Sequence, residues 1–226
     1  MLNIEKHKQI LSKILLEIYS EKSLAGKLGF KGGTALYFFY DLNRFSTDLD
    51  FDLIGEGSEK DIKLIEEIVA RNLKIVDSRT KRFTWFWLGS YQKGEVKVKI
   101  EINTRPYPNK YEVVDFRGFS IRVLKKEYMA AHKFCAVLDR KVLQNRDLYD
   151  IWFMMDRDFS INEEIIKLRT GKKLKAHFSD ILKMIRKLPI KYDVLNGLGE
   201  VMDNSRKDWV KGNLIKQIVI MLASRI

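Results

Sequence analysis

The six residues Asp48-Leu49-Asp50-Phe51-Asp52-Leu53 constrain the fold more tightly than any other stretch of the chain. Acid and apolar residues alternate with period two. An extended strand puts the three carboxylates on one face and Leu49, Phe51 and Leu53 on the other. The apolar face needs a core to cover it. The acid face needs solvent, cations or basic side chains, because like charges side by side on a strand repel. A sheet with one covered and one polar face is therefore expected. Upstream stands a glycine pair, Gly32-Gly33, followed by Thr34 and an apolar run. This reads as a turn, with Thr34 as the N-cap of a helix over 35–42.

The remaining elements follow from periodicity. Ile10, Leu11, Ile14, Leu15 and Ile18 give helical spacing over residues 4–20. A turn over 55–58 leads into a second helix over 59–72. Segments 73–77, 82–91 and 96–103 are rich in β-branched and aromatic residues and read as strands, the last two joined by a turn at Lys93-Gly94. Segments 113–116 and 121–123, around Arg117-Gly118, read as a short hairpin. From Leu124 onward the pattern is helical, with helices expected over 125–139, 146–157, 163–168, 175–188 and 209–225. The expectation is an α/β (α+β) domain with a mixed sheet over 1–124 and a helical domain over 125–226.

With 226 residues and 46% hydrophobic content, the chain can build a sizeable core. Its single cysteine, Cys135, excludes an intramolecular disulfide and a multi-cysteine zinc site. No apolar run approaches the roughly 20 residues of a membrane span, and the N-terminal segment reads as an amphipathic helix and not a signal peptide. A cytoplasmic protein without a membrane partner is expected. The formal charge of +12 points to a polyanionic partner, either nucleic acid or nucleotide phosphates, or else to a basic surface with none. The densest basic stretches are 169–175 and 183–191. His7, His132 and His177 are scattered and form no metal pattern.

Two readings of Asp48-x-Asp50 are open at this point: ordinary acids on a solvent-facing strand, or oxygen ligands for a hard divalent cation. Two features favour the second. A glycine turn opening a helix at Gly33-Thr34 offers backbone N–H groups to a phosphate. The strand over 96–103 puts Val98, Ile100 and Ile102 on one face and Glu101 on the other, with Lys97 and Lys99. Laid beside Asp48–Leu53, that strand brings in a third carboxylate. Three carboxylates around metal ions match in-line phosphoryl or nucleotidyl displacement.

The order Gly33-Thr34, Asp48-x-Asp50, Glu101 resembles the active site of DNA polymerase beta-type nucleotidyltransferases. More specifically, Gly32, Gly33, Thr34, Ala35 and Leu36, then Arg44, Ser46, Asp48, Asp50 and Phe51, are similar to the first motif of the AbiEii/AbiGii abortive-infection toxins. The segment from Glu127 to Met154 is similar to that family's late helix pair, with Lys133 after a small-residue run and Arg146-Asp147-x-x-Asp150 behind it.

The resemblance implies a polymerase beta-type domain followed by a helical domain that contributes Lys133 and Asp147. It implies metal-dependent transfer of a nucleoside monophosphate from an NTP, with Asp48, Asp50 and Glu101 holding Mg²⁺ (Mn²⁺ as a substitute). Gly32, Gly33 and Thr34 would hold the triphosphate and Lys133 would neutralise its charge. It further implies an RNA acceptor such as the 3′ end of tRNA, a toxin function, and a cognate antitoxin in a bacterial cytoplasm.

Plainer readings stand beside these. Lys133 borders the apolar stripe Ala130, Phe134, Val137 and Leu138 and could snorkel. Arg44 is a surface charge or a phosphate ligand, and Ser46 a turn residue or a nucleotide contact. Asp52 is not expected to be a ligand. Of Asp147 and Asp150, Asp147 is taken as the functional acid and the other as a support for Lys133 or Arg140. Two other functions share the fold: a nucleotidyltransferase with a small-molecule acceptor of the antibiotic type, and a catalytically silent nucleotide- or RNA-binding module.

Overall fold

Capping and alternation account for most of the elements in the computed structural model, which describes residues 3–91 and 97–226. The turn expected at Lys93-Gly94 lies outside the described residues. The chain divides into two units, Met1–Asp41 with Phe45–Lys125, and Leu42–Arg44 with Lys126–Ile226.

The first unit runs α1 (Ile4–Ser20), α2 (Lys22–Ala25), β1 (Leu28–Lys31), α3 (Gly32–Phe39), β2 (Leu49–Leu53), α4 (Glu59–Asn72), β3 (Lys74–Lys81), β4 (Thr84–Ser90), β5 (Lys97–Asn103), β6 (Tyr111–Phe116) and β7 (Phe119–Leu124). The Asn3 side chain caps α1 by accepting from the Lys6 amide at 3.0 Å. Ser58 and Asp61 form a reciprocal capping box on α4. Arg117 (φ 56°) and Gly118 (φ 83°) supply the two left-handed positions of a tight β6–β7 hairpin.

The seven strands form one mixed sheet in the order β3-β4-β5-β2-β1-β7-β6. β2 runs parallel to β5, and β1 parallel to β7. Helices α1 and α4 pack together, α1 also against β7 and α4 against β3 and β4. Their apolar stripes (Leu11, Ile14, Leu15 and Ile18; Ile65, Ile68 and Val69) are buried, as are Leu49, Phe51, Val98, Ile100 and Ile102 of the central strands. The mixed α/β class expected from the sequence is the one observed.

Two local differences have physical causes. Helix α3 begins at Gly32, so Thr34 lies inside its first turn and the N-cap is Lys31. Gly32, at φ 83°, turns β1 directly into the helix. Strand β3 continues to Lys81 because it pairs with β4 along its whole polar length, so pairing outweighs its weak intrinsic preference.

The second unit contains α5 (Lys126–Asp139), α6 (Asn145–Asp156), α7 (Glu163–Thr170), α8 (Leu174–Arg186) and α9 (Asn204–Ala223). Asn162 caps α7 and Asp203 caps α9. The Asp203 cap explains why α9 starts at Asn204 and not near Trp209. Phe134 packs on Phe178, with ring centroids 5.1 Å apart, and Trp152 on Trp209 at 4.4 Å. Among the described residues no helix is long and apolar enough to cross a membrane.

Candidate active site

The centre of the sheet sets the geometry of the acids. In register, Asp50 of β2 stands opposite Lys31 of β1 and opposite Glu101 of β5. Asp48, just before β2, projects to the same side. The structure thus brings Asp48, Asp50 and Glu101 together. Between them lies a residue that sequence reasoning placed on the right face but gave no role. The Lys99 ammonium is 3.3 Å from Asp50, 3.3 Å from Glu101 and 3.8 Å from Asp48. Burial alone would lower the Lys99 pKa, but the three carboxylates outweigh it and hold the amine above its ordinary value.

Whether these residues fit a divalent cation can be judged from that arrangement. The donors are hard carboxylate oxygens, and three of them already share one positive charge. Lys99 lies among them, and among the described residues no three His, Cys, Asp or Glu side chains are arranged to hold a metal ion. The donor type and its charge fit a hard cation, and the cation these carboxylates share in this structure is the Lys99 ammonium.

Asp52 is a different acid. Its side chain is 3% exposed and accepts from Lys31 at 2.5 Å, Asn103 at 2.9 Å, Asn109 at 2.8 Å and Tyr111 at 3.0 Å. A buried carboxylate with this many donors locks β1, β2, β5 and the 104–110 loop together.

The glycine turn touches the acids directly. Gly32 is left-handed, and a Cβ there would sit 2.5 Å from Asp50 Oδ2 and 3.0 Å from Asp50 Cβ. Thr34 is fully buried, and its hydroxyl donates to the Asp48 carbonyl. Its side chain is thus spent on tying α3 to the start of β2. Gly33 and Thr34 lie in the first helical turn, where backbone N–H groups have no intrahelical acceptors and can receive an anion. Gly32→Ala should cost about 1–2 kcal/mol from the left-handed backbone and should also displace Asp50. Chemical denaturation reads the first effect. Loss of nucleotidyl transfer larger than the stability loss explains reads the second.

His7 is a second residue the sequence did not single out. It is fully buried, with Nε2 3.0 Å from the Thr47 carbonyl and Nδ1 3.0 Å from the Tyr91 hydroxyl. A carbonyl can only accept, so Nε2 carries the proton and Nδ1 accepts from Tyr91. Burial lowers its pKa, which favours this neutral form, against smaller raising contributions from Thr47 and Asp48. His7 therefore fixes the backbone next to Asp48. Ser46, on the same connection, is buried.

The helical unit holds the other predicted residues in one buried cluster. Asp150 is fully buried and takes a bidentate pair from Arg44, Nε at 2.8 Å and Nη2 at 2.7 Å. Lys133 lies 2.6 Å from Asp150 and 3.4 Å from Asp147. Arg44 is therefore not a surface charge: its side chain is 2% exposed, and its guanidinium braces the acid that holds the lysine. Burial would raise the Asp150 pKa, but Arg44 and Lys133 together carry it below its ordinary value. Lys133 shows the mirror image, raised by Asp150 and Asp147 against burial and Arg44. Lys133 is thus a held charge and not a snorkelling one. Asp147 also pairs with Arg140, whose Nε lies 2.7 Å from its buried Oδ2. Both acids are thus engaged by cations, Asp150 by Arg44 and Lys133 and Asp147 by Lys133 and Arg140.

A family comparison decides the class. The nucleotidyl transferase AbiEii toxin family, of type IV toxin–antitoxin systems, matches residues 13–211. The chain belongs to that family. It is a nucleotidyltransferase toxin, and its family implies an antitoxin partner. No curated protein matches the chain. Solved structures support the fold. An H. pylori protein assigned as a nucleotidyltransferase is similar at 24% identity and TM-score 0.59, over 100% of this chain and 99% of that one. JHP933 from Helicobacter pylori is similar at 22% identity and TM-score 0.57, over 100% and 95%. The antibiotic-resistance factor ANT(2'')-Ia is similar at 12% identity and TM-score 0.51, over 82% and 97%.

Proposed function

We propose that this enzyme transfers a nucleoside monophosphate from an NTP to the 3′ end of an RNA, such as tRNA, and that it does so in the cytoplasm with Mg²⁺ or Mn²⁺. The observation that carries the reading is the trio Asp48, Asp50 and Glu101, gathered within 3.3–3.8 Å of one cation, Lys99. The charge of +12 supports a polyanionic acceptor over a small cationic one.

Asp48, Asp50 and Glu101 would hold the metal. Bound there, it would supply positive charge to the triphosphate and acidify the attacking hydroxyl. The chain's own residues do the rest. The first-turn amides of α3, at Gly33 and Thr34, receive phosphate oxygens. Lys133, kept protonated by Asp150 and Asp147, offsets triphosphate charge, and Asp147 positions it. The acceptor hydroxyl forms a bond to the α-phosphorus, its proton passes to Glu101, and the bond to pyrophosphate breaks. Arg44 acts through Asp150 and not on the nucleotide. His7 and Thr34 hold the backbone of Asp48.

The metal assignment is tested by thermal unfolding with and without millimolar Mn²⁺. Wild type should gain Tm on adding metal. Lys99→Met should be less stable without metal, because the three carboxylates lose their counter-ion, and should gain more with it, because the competing ammonium is gone. Asp50→Asn should gain little. Equal gains in wild type and Asp50→Asn would remove the metal from this trio.

A further inference from the structure

We propose that the outer face of α8 is a docking surface for an RNA backbone. The inference rests on the RNA-acceptor reading above and assigns it a surface. Lys175, Lys183, Arg186 and Lys187 are all exposed. At 3.6 residues per turn they fall within an arc of about 120°. His177, Phe178, Ile181 and Ile185 fall on the opposite side and are buried. The basic stripe is roughly 18 Å long at 1.5 Å per residue. Exposed Lys173 and Lys191 extend it at its two ends. The acid on this helix, Asp180, lies at the edge of the stripe, and its charge is met by Lys172 at 2.6 Å.

The composition of the face selects the partner. Protein interfaces are centred on aromatic and apolar anchors and are poor in lysine. This stripe is mostly lysine, and the exposed apolar residue beside it, Ile190, lies past the helix end. A membrane-surface helix needs its apolar face free, but that of α8 is buried, with α7 and α9 packed on the helix. What remains is a linear array of cations suited to successive phosphates, whose binding releases counter-ions and needs no base contacts.

The test compares two charge-reversed variants of the full chain. One carries Lys175→Glu, Lys183→Glu, Arg186→Glu and Lys187→Glu. The other carries Lys60→Glu, Lys63→Glu, Lys74→Glu and Lys81→Glu, all exposed positions of the first unit, and changes the net charge equally. Binding of fluorescent unfractionated tRNA is followed by anisotropy over a range of salt. The α8 variant should bind at least about tenfold more weakly at 0.15 M salt, with a salt slope shallower by roughly 0.7–0.9 for every phosphate it no longer neutralises. The control should change less than threefold. Both variants should keep the Mn²⁺-induced gain in Tm, which reads an intact first unit.

Equal weakening in the two variants would mean that net charge alone acts, and would overturn the surface. Unchanged binding by the α8 variant would overturn the surface while leaving the RNA acceptor standing. Wild type that fails to bind tRNA would overturn both. Loss of binding to phosphatidylserine vesicles, with tRNA binding intact, would move the surface from RNA to a membrane.

Discussion

Asp150→Ala is expected to cost the helical unit about 3–5 kcal/mol, the usual penalty for removing one partner of a buried ion pair. The Asp150 side chain is fully buried, and it faces Arg44 at 2.7 and 2.8 Å and Lys133 at 2.6 Å. Its removal leaves two cations in a site where they repel each other, with Asp147 as the nearest remaining carboxylate. Asp150→Asn keeps the shape but not the charge, so it should fall between wild type and alanine. Urea unfolding of the three proteins measures the series. A loss under about 1 kcal/mol for alanine, the scale of an exposed pair, would mean that the cluster is hydrated and that Lys133 is not held by it.

The pH dependence has a definite sign. Asp150 is shifted down from 3.8, so its contribution is present above that value and is lost as pH falls through its lowered pKa. Lys133 is shifted up from 10.5, so its contribution is present below that value and is lost as pH rises through its raised pKa. Between about 4 and 10 the cluster should contribute a flat plateau. In Asp150→Ala the acid limb of this plateau should disappear.

Asp48→Ala should lower nucleotidyl transfer by a factor on the order of 10³ or more, the scale seen when a group acting directly at a reaction centre is removed. Stability should not fall with it. Asp48 is about a quarter exposed, and its separation from Lys99, at 3.8 Å, is the longest of the three. Removing one of three crowded carboxylates relieves repulsion while Asp50 and Glu101 keep the ammonium. A Tm equal to or above that of wild type, with transfer abolished, separates a chemical role from a structural one.

Period-two patterning carried the reading furthest. It placed the acids on one face of β2 and Glu101 on the polar face of its own strand. The conditional step, that these strands are neighbours, is met by the β2–β5 pairing. Lys99 was visible on the Glu101 face, but its role depends on which strand lies alongside, and alternation within one strand does not encode that. Arg44 shows the same limit more sharply. Its partner Asp150 lies 106 positions away, so local sequence could not separate a surface charge from a buried brace. Thr34 followed a helix-start rule that ordinarily holds. A left-handed Gly32 moved the start upstream and freed the hydroxyl to bond the Asp48 carbonyl. His7 left no local signal, because both its partners come from other elements. Fold class was legible because it depends on repeated patterns. The supports of the site were not, because each depends on contacts between residues far apart in the chain.

The most direct test of nucleotidyl transfer to RNA is a labelling assay. The purified protein is incubated with each α-³²P-labelled NTP in turn, Mg²⁺ and total bacterial RNA, with Asp48→Ala alongside. Label should enter a tRNA-sized band with at least one NTP and should be absent with the variant. No labelled RNA with wild type, or equal label with Asp48→Ala, would contradict the account.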